Sequence, residues 1–124
     1  MSNLQLVSIV DDDESVRLGV VNLLTVAGYA VDAFRSAAAF LQSARLAQTR
    51  AIVLDLRMPG MNGLELQRHL VARGHRIPIV ILTGHGTEAE RQQALQFGAV
   101  RFLRKPFKPK ELLDALRAAL VDGE

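Results

Sequence analysis

A chain of 124 residues, 49% apolar and 23% charged, suits one globular domain with a real core and excludes a disordered segment. Its formal net charge of +2 is too small to argue for nucleic-acid binding. No apolar run nears the ~20 residues of a membrane span, the first residues lack a basic-then-apolar signal layout, and the absence of cysteine removes disulfides and thiolate metal sites, which together fit a cytoplasmic protein.

Leu6 to Val10 reads as a strand and stops at Asp11-Asp12-Asp13. From Glu14, apolar residues recur at helical spacing (Val16, Val20, Leu23, Leu24, Ala27), with Asp13 as N-cap and Gly28 closing the helix. Ala30 to Phe34 is a second strand, and Ser36 caps a helix expected to run to about Leu46. Ala51 to Leu54 is an unbroken apolar run, as in a strand buried on both faces, and it ends on Asp55 before Pro59-Gly60 turns the chain away. A third helix opens at Gly63, with Leu64, Leu66, Leu70 and Val71 as its buried side, and ends at Gly74. Pro78 to Leu82 is a fourth strand, delivering Thr83 and the Gly84-His85-Gly86 loop. Thr87 with Glu90 makes a capping box for a helix to Phe97. Val100 to Leu103 leads to Arg104-Lys105-Pro106, and Pro109 starts a last helix to about Val121, with Lys108 a poor N-cap before it. Phe34, Phe40, Phe97 and Phe107 read as core, and His69 and His75 as solvated surface residues.

Five strands alternating with five helices specify an α/β fold, a five-stranded parallel sheet of flavodoxin-like order 2-1-3-4-5 flanked by helices, in one domain over residues 1–124. In that order the first and third strands are neighbours at the switch point, where ligands bind at the carboxyl edge. Asp11, Asp12 and Asp55 then share a pocket that Thr83 and Lys105 reach from the next two strands. Carboxylates so close repel one another unless a cation joins them. Mg2+ fits, being held by hard oxygens and few carboxylates. The expected ligands are Asp12, Asp55 and the backbone carbonyl of Arg57, with Asp11 acting through water. Lys105 and Thr83 add a positive charge and a hydroxyl donor beyond Asp55, an arrangement suited to a phosphoryl group in transfer with Asp55 as nucleophile.

Asp11-Asp12, Asp55 followed by Leu-Arg-Met-Pro-Gly-Met-Asn-Gly63, Thr83-Gly84 and Lys105-Pro106-Phe107 resemble the response regulator receiver domain of two-component signalling, over about Leu6 to Leu120 and closest to its FixJ-type branch. The resemblance implies a phosphoacceptor at Asp55, a sensor histidine kinase as donor, Lys105 on the phosphoryl oxygens, and Thr83 with Phe102 as the switch. It also implies a cis Lys105-Pro106 bond and a role for His85 in how water approaches the phosphorylated site. By the same resemblance the domain is expected to assist its own phosphotransfer and dephosphorylation and otherwise not to be an enzyme. Its output would be transcription regulation, with DNA reached only through an output domain for which the residues up to Glu124 leave no room. A homodimer is expected on phosphorylation through the fourth helix, fifth strand and last helix, where basic residues (Arg91, Arg101, Arg104, Lys105, Lys108, Lys110, Arg117) interleave with acidic ones (Glu88, Glu90, Glu111, Asp114).

Three rival readings fit less well. A haloacid dehalogenase-type phosphohydrolase wants a second Asp two residues past the nucleophile, where this chain has Arg57. A flavodoxin-like cofactor binder needs a phosphate cradle where Asp11-Asp12-Asp13 stand. A degenerate receiver would lack one of the five site residues, and none is missing.

Overall fold

The computed structural model describes residues 4–122. Its elements are β1 (Leu6–Val10), α1 (Glu14–Val26), β2 (Ala30–Phe34), α2 (Ala37–Leu41), a 3-10 turn (Leu46–Gln48), β3 (Ala51–Leu54), α3 (Gly63–Ala72), β4 (Ile79–Thr83), α4 (Glu88–Gln96), β5 (Ala99–Arg104) and α5 (Pro109–Asp122). All strand pairs are parallel, in the order β2-β1-β3-β4-β5, as the alternation of elements requires.

The three central strands β1, β3 and β4 are buried at every residue, because helices cover both faces. Alternate residues serve the two layers. Val10, Ile52, Leu54, Ile79 and Ile81 pack with Phe40, Leu66, Leu70 and Ala94 from α2, α3 and α4. Val7, Ile9, Val53, Val80 and Leu82 pack with Val20, Leu24, Leu112 and Leu116 from α1 and α5. No helix among the described residues is long and apolar enough to cross a membrane.

Five local expectations change in the structure. The second helix stops at Leu41 rather than near Leu46, because the Ser43 hydroxyl accepts the Arg45 N–H (3.1 Å) and offers the backbone a turn instead of another helical bond. Leu46 still reaches the core through the 3-10 turn. Val71, expected inside, is 52% exposed, while Gln67 is wholly buried in the same helix. The start of α5 is held despite Lys108, since the Glu111 carboxylate accepts the Lys108 N–H at 2.8 Å. Of the four phenylalanines read as core, only Phe40 is fully enclosed; Phe34, Phe97 and Phe107 are half-buried, with Phe97 under the Arg68 guanidinium. His69 is exposed as expected, and His75 is half-buried.

β5 carries an irregularity the sequence did not suggest. Ile79 pairs with Ala99 but Val80 pairs with Arg101, so Val100 is an extra residue on the β5 side. The bulge resets the alternation of the strand. Phe102 therefore faces the α3/α4 layer with Ala99, and Leu103 faces the α1/α5 layer.

Candidate functional site

Strand register builds the site. Val10 lies opposite Leu54, so the residues one step further, Asp11 and Asp55, leave the core side by side, with the Asp55 N–H bonded to the Val10 carbonyl at 3.0 Å. Both are buried, with 2% and 6% of their surfaces exposed, whereas Asp12 is exposed. Asp11, Asp12 and Asp55 each offer an oxygen, and these oxygens all lie within 4.8 Å of one another. Thr83 pairs with Arg104 at the end of β4, and the Lys105 N–H donates to the Thr83 carbonyl at 2.9 Å, which carries Lys105 over the same edge.

The Lys105 ammonium sits 2.9 Å from Asp11 Oδ2 and 3.7 Å from Asp55 Oδ2. Asp11 is thus engaged on both oxygens, since Oδ1 accepts the Asp13 N–H at 2.9 Å. Asp55 Oδ1 accepts the Arg57 N–H at 3.2 Å. These two interactions do not offset its surroundings: burial, then the Asp11 charge, push the Asp55 carboxyl up from its ordinary 3.8 to about 6, with Asp12 adding to the rise. A site that resists its own negative charge in this way suits a cation. The donors are all hard oxygens, with no imidazole or thiolate among them, and the residues fit Mg2+ better than a softer metal.

Thr83 is wholly buried, and its hydroxyl accepts the His85 N–H at 3.4 Å; no hydrogen bond joins it to the carboxylates among the described residues. Phe102 lies half-buried beside it. A Cβ at Gly86 would come within 2.9 Å of the Phe102 ring and 3.0 Å of the Thr83 methyl, so glycine there lets ring, loop and threonine close together. The Lys105-Pro106 bond is cis, as expected. Asp13 caps α1, accepting the Ser15 and Val16 N–H groups.

Sequence reasoning missed several supports. Arg17 in α1 donates to the Asp11 carbonyl at 2.9 Å. The Arg57 side chain bonds Glu90 at 2.8 Å, tying the loop after Asp55 to the capping box of α4. Asn62 and Glu65 form a reciprocal capping box on α3, a pattern legible as Asn-x-x-Glu. Gln67 donates to the Ala94 and Phe97 carbonyls at 3.0 and 3.2 Å, fastening the end of α4 to α3. Its place between Leu64 and Leu70 on the apolar stripe was the available signal.

The pattern of the response regulator receiver domain matches residues 7–117. The chain belongs to that family. Nodulation protein W of Bradyrhizobium diazoefficiens is 45% identical over 114 residues, covering 92% of this chain and 50% of that protein. The transcriptional regulatory protein FixJ of Rhizobium meliloti is 42% identical over 113 residues, covering 91% of this chain and 55% of that protein. The solved structure of FixJ-N superposes with a TM-score of 0.85 at 40% identity, covering 98% of this chain and 96% of that one. This receiver therefore spans about half the length of these curated relatives. Membership of the family and likeness to the FixJ branch both agree with the reading of the strand-end motifs.

Proposed function

We propose that Asp55 accepts a phosphoryl group from the phosphohistidine of a sensor kinase, in a Mg2+-dependent reaction. The observation that carries this reading is the ledge of Asp11, Asp12 and Asp55 oxygens bridged by the Lys105 ammonium. Asp12, Asp55 and the Arg57 carbonyl would hold the metal directly, and Asp11 would hold it through water. Mg2+ held there would supply positive charge to offset that of the carboxylates and the phosphoryl oxygens. An Asp55 carboxylate oxygen attacks phosphorus, an O–P bond forms, and the P–N bond breaks with its electron pair left on the imidazole. Lys105 stabilises the charge spread over the phosphoryl oxygens. The domain promotes this transfer, and its reversal by water, on itself rather than turning over a separate substrate.

The Thr83 hydroxyl then donates to the phosphoryl group, and the space it vacates admits further movement of Phe102. The change emerges on the face of α4, β5 and α5, which mediates homodimerisation. Many of its charges are paired locally, as in Arg91–Glu88, Lys110–Asp114 and Arg117–Asp114, so dimer contacts exchange weak exposed pairs rather than recruit idle charges. The output is transcription regulation in the cytoplasm, with DNA bound by an output domain outside these residues.

The test is an intact mass spectrum after incubation with acetyl phosphate and Mg2+. A single phosphoryl adduct, absent in Asp55→Asn and absent with chelator, is expected; an adduct that persists in Asp55→Asn refutes the assignment. Sedimentation with and without beryllofluoride checks the dimer, and a monomer in both states would refute it.

A further inference from the structure

The end of the sheet opposite the carboxylates carries a groove that the phosphoryl chemistry does not use. It has a volume of about 320 Å3 and lies between the last turns of α3 and α4 and the beginnings of β4 and β5. Leu70, Ile77, Ile79 and Phe97 line it, and Val71 stands open to water at its lip. The volume is at the low end of the ~300–1,000 Å3 typical of ligand sites. The Gln67 amide, bonded to the Ala94 and Phe97 carbonyls, fastens the α4 wall to the α3 wall, so the groove is a built feature rather than a gap between loose helices.

Its rim is positive. From Leu66 to Thr87 the chain contains Arg68, Arg73 and Arg76 and no Asp or Glu. Arg76 and His75 border the groove, and the Arg68 guanidinium lies 5.6 Å from the centre of the Phe97 ring. None of these three arginines forms an ion pair among the described residues; the same is true of the exposed Arg35, Arg101 and Arg104, while Arg45, Arg57, Arg91 and Arg117 each have a carboxylate partner.

We propose that this groove docks an acidic peptide segment of a partner protein, with an apolar side chain seated against Leu70, Ile79 and Phe97 and carboxylates facing Arg68 and Arg76. The apolar lining and the unpaired guanidinium groups select this occupant together. A nucleic-acid backbone would use the arginines and leave Val71 and the apolar lining open to water. A purely apolar segment would leave the arginines without the bidentate partners they favour.

The test is a 15N chemical-shift titration of the whole chain with a short peptide in which Glu and Asp flank Leu and Phe. A matched peptide carrying Gln and Asn, and a short mixed-sequence DNA duplex, serve as comparisons. The acidic peptide is expected to shift Leu70, Val71, Arg76, Phe97 and Gly98, with affinity falling about tenfold in Arg76→Glu and as salt is raised. Val71→Ser, at an exposed position, should weaken the same peptide while leaving the duplex signal unchanged. No shifts at these residues, equal binding of the neutral peptide, or stronger shifts from the duplex would each overturn the proposal. Phosphorylation of Asp55 is read separately by mass, so the two proposals fail independently.

Discussion

At the carboxyl ends of β1 and β3 the chain leaves the core on Asp11 and Asp55, whereas at the amino ends of β4 and β5 it enters on Ile77, Pro78 and Ala99. The two edges of the one sheet thus carry opposite chemistry. A parallel sheet enforces this, because every strand points the same way and every following helix begins at the same edge. The N-termini of α1, α3 and α4, capped by Asp13, Asn62 and Thr87, gather near the carboxylates and favour anions there. Helix C-termini gather at the other edge, where Gly74 and Gly98 turn the chain at φ of 78° and 105°. The negative ends of the helix dipoles suit the Arg73, His75 and Arg76 that follow α3. Polarity of the chain, more than any one residue, separates an edge of clustered carboxylates and helix N-termini from an edge rimmed with arginine.

The contrast breaks most severely at Gly63. A Cβ there would lie 2.6 Å from the Asp55 carbonyl oxygen and 2.9 Å from Leu56 Cα, both backbone atoms that cannot rotate away. Gly63→Ala should cost about 2–3 kcal/mol in urea unfolding and disturb the loop after Asp55, with a change under ~0.5 kcal/mol showing that the loop yields instead.

Charge at the carboxyl edge is the next lever. In metal-free protein the folded Asp55 carboxyl, at about 6, lies above its ordinary 3.8, so the folded state binds the extra proton between these values. Stability from this group therefore falls as pH rises from about 4 to 6, and the deficit is full above that. Asp55→Asn should then stabilise the chelated protein by about 2–3 kcal/mol at pH 7 and by almost nothing at pH 4. Thermal unfolding at both values checks this, and an equal gain at the two would show that the charge is not the cause.

The opposite edge responds more weakly. Gln67→Leu takes a donor from the Ala94 and Phe97 carbonyls, of which Ala94 keeps the Phe97 N–H at 3.2 Å, and it also removes the buried Gln67 Oε1, which has no partner among the described residues. The net loss should be about 1 kcal/mol, with faster amide exchange confined to the end of α4. Exchange that rises evenly over the whole chain would mean that Gln67 supports the entire layer. The smallest effect is expected at the exposed His85, whose replacement by Ala should change the lifetime of phosphorylated Asp55 without preventing phosphorylation. A decay rate equal to the parent's would assign this histidine to the surface alone.

Short-range patterns carried most of the fold. Apolar-rich runs at Leu6–Val10, Ala51–Leu54 and Pro78–Leu82, followed by Asp11, Asp55 and Thr83, specified buried parallel strands and the residues at their ends. Order 2-1-3-4-5 then brought Asp11 and Asp55 together with little freedom left. What was not legible depended on competition between partners distant in sequence. Lys105 approaches Asp11 more closely than Asp55, which follows from the orientation of two side chains at a shared edge. Arg57 reaches Glu90 across a gap of 33 residues. Gln67 lies inside while Val71 lies out because the α4 carbonyls offer acceptors to one, and the other falls at the end of α3, beside the open groove. Phe102 takes the α3/α4 face because a single extra residue, Val100, shifts the pleat of β5. Periodicity along the chain determined which elements form and which residues end them; contacts between elements decided where each side chain finds its partner, since only packing brings the competing groups within reach.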